Sequence, residues 1–333
     1  VDQRGACGTN SDLTDVALLA AFTAAVALVA AAATGLSFAH APEFFSHAAG
    51  LLGKLAVLDL YLLFRMPEKK QLIFTINMLM LMFCVSNILL TYQYALALLP
   101  AAPISQWIHD ADAAMRFHWI DFSQKIHSVP NFSEILGFCY RYWIRETVLV
   151  VIVLAFCKQF SRVREFAVGY ILTGMATISV TGFLDAQSYD CLAALSTAGA
   201  HIPTGFAREL LDKAVNLRSG LDHTVDLTRP LGLVCFPSLH AGAALLMATA
   251  TRGVKWLWLP FLVFNILIII GTITEGGHNF ADVIGGCAVT IAAIAGARAY
   301  LQWGGAGRWL QVGVRRSAAA LASARNGTRP AFD

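Results

Sequence analysis

Eight apolar runs, at about 14–35, 48–64, 73–100, 146–158, 167–186, 233–251, 256–275 and 281–301, constrain this chain most, because roughly 20 such residues let an α-helix cross a bilayer. The fourth run is the weakest, being short. In hydrocarbon every backbone N–H and C=O must be paired within the protein, so segments of this kind span as helices. Composition agrees: 57% of the 333 residues are AVILMFWYC and 14% are charged, against roughly 25% charged in soluble proteins. The expected fold is all-α, a polytopic integral membrane helical bundle of about eight transmembrane helices.

Charge sets the orientation. Arg4, Arg65, Lys69, Lys70, Lys158, Arg162, Arg164, Arg252, Lys255, Arg298 and the arginines of the C-terminal tail fall on one side of such a bundle. Arg116, Lys125, Arg141, Arg145, Arg208, Lys213, Arg218 and Arg229 fall on the other, spread over longer loops. The first side is therefore expected to be cytoplasmic, with both termini inside. Residues 1–12 lack a basic stretch leading into a cleavage site, so the first run reads as a retained helix. The long connections 101–145 and 187–232 face the non-cytoplasmic side, where lids and substrate contacts are expected. One contains PISQWIHDADAAMRFHWIDFSQKI, whose near-helical spacing suits either an amphipathic interfacial helix or a loop helix packed on the bundle. No repeat or linker divides the chain, so 1–302 reads as one membrane domain and 303–333 as a basic cytoplasmic tail near anionic lipid head groups.

A net charge of +3 on scattered basic residues excludes a nucleic-acid partner. The seven cysteines form no CxxC pair and mostly lie in or beside apolar runs, as small hydrophobes do. Neither a zinc site nor a disulfide framework is expected, though Cys139 and Cys191 can meet if they share an oxidising side.

Two stretches carry chemistry: FPSLHAG at 236–242 and GGHNFADVIGG at 276–286. His240 opens the sixth span and His278 precedes the eighth; the seventh brings the chain back, so both reach one face of the membrane. Ionisable groups converging at span ends are functional by default. His278 and Asp282 are four apart, a spacing that stacks carboxylate and imidazole on one helix face, fixing the tautomer and leaving one ring nitrogen as nucleophile. His240 then suits proton transfer. Pro237 and Ser238 start its helix, and that helix end with Gly276 and Gly277 can cradle a phosphoryl group. His40, His47, His109, His118, His127, His201 and His223 read as packed interfacial side chains.

The two stretches resemble the second and third signature motifs of the type 2 phosphatidic acid phosphatase superfamily, which includes lipid phosphate phosphatases and vanadium haloperoxidases. LRSGLDHTVDLTRPLGLVCFPSLHAG and DADAAMRFHW are most similar to its inositol phosphorylceramide synthase branch, the likeness covering about residues 105–300. The resemblance implies a metal-independent, cofactor-free phosphotransferase or phosphatase. His278 would become phosphohistidine, Asp282 would orient it, and His240 would protonate the leaving oxygen. The donor would be a lipid phosphate or phospholipid, and the acceptor water or an alcohol of sugar or inositol type. The location implied is a bacterial inner membrane, with the site on the periplasmic face.

Two positions depart from the family pattern. Arg229-Pro230 resembles the end of the first motif, but its Lys position is Asp222, and the third motif's Arg position is Thr272. Both departures favour the transferase-like branch over a simple phosphatase. Arg229, Arg218 and Lys213 are the candidate replacement cations, and Ser238 and Gly277 the candidate phosphate contacts. Glu275 is a candidate for the acceptor hydroxyl, and Tyr140, Arg141 and Arg145, placed just before the fourth span, for a lipid head group. Lys54 and Asp59 read as a charge pair with another helix. A transporter, for which Lys54, Asp59 and Glu275 would mark a polar path, and a non-catalytic scaffold are the alternatives.

Overall fold

The computed structural model describes residues 10–186 and 204–303. In order these form α1 (Asn10–Thr34), β1 (Ser37–Ala39), α2 (Ala41–Arg65), α3 (Lys70–Ala97), β2 (Ala102–Pro103), α4 (Ser105–Ala114), α5 (Trp119–His127), α6 (Phe132–Phe156), α7 (Phe160–Phe183), β3 (Leu184–Asp185), α8 (Thr204–Arg218), β4 (Thr224–Asp226), α9 (Leu239–Thr251), α10 (Lys255–Thr274) and α11 (Phe280–Gln302). The tail after Trp303 and Cys191 lie outside the described residues.

Each expected span has a helix, and the all-α membrane fold stands. Six helices, α1, α2, α3, α7, α10 and α11, are long and apolar enough to cross a bilayer by length and composition. α6 carries Glu134, Arg141, Arg145 and Glu146, while α9 has 13 residues and is about 20 Å long. The fourth span needs correcting: α6 begins at Phe132, one helical stretch upstream of the apolar run, so Tyr140, Arg141 and Arg145 lie within it.

Polar contacts show how the helix ends alternate. Gln71 at the start of α3 donates to Ala155 and Phe156 at the end of α6, and Arg298 of α11 meets Glu165 of α7 at 2.7 Å. At the opposite end, β1 pairs in parallel with β4 and β2 with β3. The connections after α1, α3, α7 and α10 therefore gather at one end of the bundle.

α7 is the central helix, and small residues explain why. A Cβ at Gly174 would overlap Leu89 of α3, one at Gly182 would overlap Leu96, and one at Gly169 would touch Leu246 of α9. Small residues permit such close approach where lipid offers no hydrophobic drive between helices. Thr147, Thr177, Thr251 and Thr272 each return a hydroxyl hydrogen bond to the carbonyl four residues earlier, which satisfies them inside apolar helices. The large apolar core runs through α1, α3, α6, α7, α9, α10 and α11.

By contrast α2 stands at the edge, with Val57, Leu60, Tyr61 and Phe64 exposed, as suits a lipid-facing helix. Its buried Asp59 accepts a 2.9 Å hydrogen bond from Asn77 of α3, so the partner is an amide rather than a charge, and Lys54 stays exposed. Such a pair is worth about 1 kcal/mol in lipid, enough to set register but not to bury the helix.

The amphipathic stretch forms two helices on the bundle instead of one. Arg116, in the left-handed region at φ 57°, breaks it, and the Phe117 amide closes the turn on the Asp112 carbonyl. α4 then docks against α11, and α5 against α10 and α6.

Candidate active site

Ser238 is the N-cap of α9, accepting the Ala241 amide at 3.4 Å, and His240 sits in the first turn behind it. Pro237 precedes the cap, joined to Phe236 by a cis bond, rather than entering the first turn. The expected phosphate role of Ser238 meets a fully buried side chain used for capping. The first-turn amides of Leu239 and His240 are the donors a helix leaves without an intrahelical partner.

His278 lies one residue before the N-cap of α11, not on the helix itself. Asn279 caps this helix, and Asp282 at its third position closes a capping box by accepting the Asn279 amide at 2.9 Å. The same Asp282 Oδ2 stands 3.4 Å from His278 Nδ1, with the histidine 6% and the aspartate 0% exposed. The four-residue spacing thus delivers the expected pair, though through a cap instead of a helix face.

The two imidazoles come together, their ring centroids 6.4 Å apart. Aromatic residues of α6 hold His240: Tyr140 stacks on it at 4.4 Å and 24°, and Trp143 meets it edge-on at 5.1 Å. Tyr140 also covers Gly276, where a Cβ would strike its ring. From α5, the Trp119 indole N–H points at both the Ile273 and His278 carbonyls, at 3.1 Å each, and ties down the loop that carries His278. Of the amides in that loop, Gly276 and His278 fold back on the Gly271 and Thr272 carbonyls. Gly277 turns at φ 67° and is the one that can face a ligand.

Sequence reasoning missed Asp112. This buried carboxylate on α4 accepts the Phe280 and Ala281 amides at 3.0 and 2.8 Å. Burial raises its pKa, a shift those two hydrogen bonds partly offset, while the nearby Asp282 charge adds to it. With Asp282 on Asn279, the N-terminus of α11 is filled by the protein's own carboxylates, which leaves the start of α9 and Gly277 as the backbone amides open to an anion. The signal was present in DADAAMRFHW, which supplies both Asp112 and Trp119.

The candidate cations separate. Arg218 donates to the carbonyls of Leu99, Thr181 and Gly182 and lies 3.7 Å from Asp185, stapling the ends of α3 and α7. Lys213 binds Asp222 at 2.5 Å and the Thr224 carbonyl and hydroxyl. Neither is brought to the histidines; both were read as available because carbonyl partners leave no trace in a sequence. Arg229 is 79% exposed, 3.9 Å from Glu209, at the rim of a cavity of about 490 Å³ that Tyr94, Lys213, Asp226 and Leu231 also line. Arg145, expected near a head group, is exposed and lies over the Tyr142 ring at 4.2 Å. Thr272 is buried, its hydroxyl bound to Ile268. Glu275 ends α10, 3.6 Å from His127. Burial raises its pKa, against the pull of His127, the Thr274 hydroxyl and Arg141.

Residues 106–296, from α4 into α11, match the family model described as the PAP2 superfamily. No curated protein and no solved structure matches the chain.

Proposed function

The chain belongs to the PAP2 superfamily, which makes it a membrane lipid enzyme of phosphatase or phosphotransferase type, and from that premise we propose that it moves the phosphorylated head group of a phospholipid to an alcohol. His278 Nε2 attacks phosphorus in line, the bond to the lipid oxygen breaks, and His240 gives that oxygen its proton. Asp282 beside Nδ1 balances the charge of the phosphohistidine. The acceptor hydroxyl then loses its proton to His240 as its oxygen attacks phosphorus and frees His278. No metal or cofactor enters this scheme.

The observation that carries the reading is the convergence of His240 and His278, at 6.4 Å between rings, with Asp282 behind His278. Charge supports the finer part of it. Asp112 and Asp282 fill the α11 helix end, Asp222 and Thr272 stand where the family carries cations, and Arg218 and Lys213 are engaged elsewhere. Among the described residues no cation contacts the histidine pair itself, Arg141 standing farther out beside Glu275, and such a site suits a singly charged phosphodiester better than a dianionic monoester. Together with DADAAMRFHW, this favours the branch resembling inositol phosphorylceramide synthase. The distribution of Lys and Arg supports a site on the non-cytoplasmic, periplasmic face, with both termini inside.

The test is purified protein incubated with phosphatidylinositol or phosphatidic acid and candidate alcohols, with products followed by mass spectrometry. A new phosphodiester supports transfer. Free phosphate from phosphatidic acid alone means a phosphatase, and full activity in His278→Ala or His240→Ala rejects the mechanism.

A further inference from the structure

Beside the histidine pair lies a second polar cluster, contributed by three helices. His127 ends α5, and its Nδ1 lies 2.7 Å from the Ser123 carbonyl oxygen. A carbonyl can only accept, so Nδ1 carries the proton and Nε2 faces outward. That nitrogen stands 3.6 Å from Glu275 Oε1, with both side chains mostly buried. Gly137 of α6 makes room on the other side: a Cβ there would lie 3.0 Å from Arg141 Nη1 and 3.5 Å from Glu275 Oε2, so guanidinium and carboxylate share the space above it. Glu275 Oε1 is buried without a hydrogen bond. The cluster is three residues from His278 and next to Tyr140, which stacks on His240.

We propose that His127, Glu275 and Arg141 form a subsite that reads a vicinal diol, borne by the donor's head group or by the acceptor alcohol. The inference rests on the transferase reading above. A carboxylate with spare acceptor capacity takes hydrogen bonds from two adjacent hydroxyls, while Arg141 supplies donors to their oxygens. His127 lies against the carboxylate and offers Nε2 as a hydrogen-bonding partner for a substrate hydroxyl. Burial of Glu275 and His127 sharpens the discrimination, because a ligand without the hydroxyls leaves these two groups unpaired, while Arg141 reaches in from an exposed position. His127, taken from the sequence as an interfacial side chain, thereby gains a role.

The experiment compares wild type with Glu275→Gln, an isosteric change, and with His127→Ala and His127→Asn. Asn can still donate to the Ser123 carbonyl and should partly rescue. Donors are phosphatidylglycerol, whose head group has a vicinal diol, and phosphatidylethanolamine, whose head group has none; acceptors are glycerol and ethanol. In Glu275→Gln, kcat/KM for the diol-bearing partner should fall at least about tenfold relative to its diol-free counterpart. The loss tracks the donor lipid if the subsite holds the head group, and the acceptor if it holds the alcohol. An equal fall for diol and non-diol partners overturns the subsite alone. Wild-type protein that transfers from neither of these lipids, nor from phosphatidylinositol, overturns the transferase reading and this subsite with it.

Discussion

The backbone amide of Ser238 donates to the carbonyl oxygen of Asp282 at 2.9 Å. The two histidine-bearing motifs are thereby joined through main chain. The contact is tight because Gly286, one turn along α11, lies against Ser238; a Cβ at Gly286 would fall within the Ser238 carbonyl.

Gly286→Ala should therefore force α9 and α11 apart, costing about 1–3 kcal/mol of stability and most of the activity. Thermal unfolding in detergent measures the first and lipid turnover the second. Gly53→Ala on α2, where nothing lies within 4 Å of the new Cβ, is the matched control and should leave both near wild type.

Tyr140 touches His240 through its ring face. Tyr140→Phe is expected to keep kcat within about twofold, whereas Tyr140→Ala frees the imidazole to rotate and should lower kcat roughly tenfold or more. Equal kcat values for Phe and Ala would show that the stack does not position the base.

Arg218 distinguishes a structural cation from a substrate cation. Arg218→Ala leaves the Leu99, Thr181 and Gly182 carbonyls without their charged donor and should cost about 3 kcal/mol. The KM for donor lipid should not change. A raised KM at unchanged melting temperature would return Arg218 to the substrate site.

Asp222 makes stability acid-sensitive. Burial opposes its ionisation, but the Lys213 ammonium and the Thr224 hydroxyl and amide outweigh that and hold the carboxyl down to about 2, from 3.8. A depressed folded pKa means stability present above about pH 4 and lost as pH falls towards 2, roughly 2 kcal/mol in all. Melting curves between pH 5 and pH 2 should show a shallower decline in Asp222→Asn, and an unchanged decline would remove this pair from the account.

The bundle was legible because hydrocarbon thickness imposes a length on every apolar run. The meeting of His240 and His278 was legible because the chain returns across the membrane between them. The first half of α6 was not, since Glu134, Arg141, Arg145 and Glu146 interrupt its apolar pattern and only the run after them reads as a span. Structure supplies what pattern cannot: Glu146 is buried against Asn265 of α10, which donates to it at 2.6 Å. Asp112, Arg218 and Lys213 share one reason for being misread or missed. Their partners include backbone N–H and C=O groups, which every residue type carries, so nothing in the sequence marks where such side chains end.

The Trp119 hydrogen bonds to Ile273 and His278 also make the loop that carries His278 optically visible. If phosphorylation of His278 tilts that loop, one of the two carbonyls must leave the indole, and the polarity around a buried fluorophore changes with it. The difference in emission between wild type and Trp119→Phe would then follow the covalent intermediate in real time, in unlabelled protein and before any product has formed.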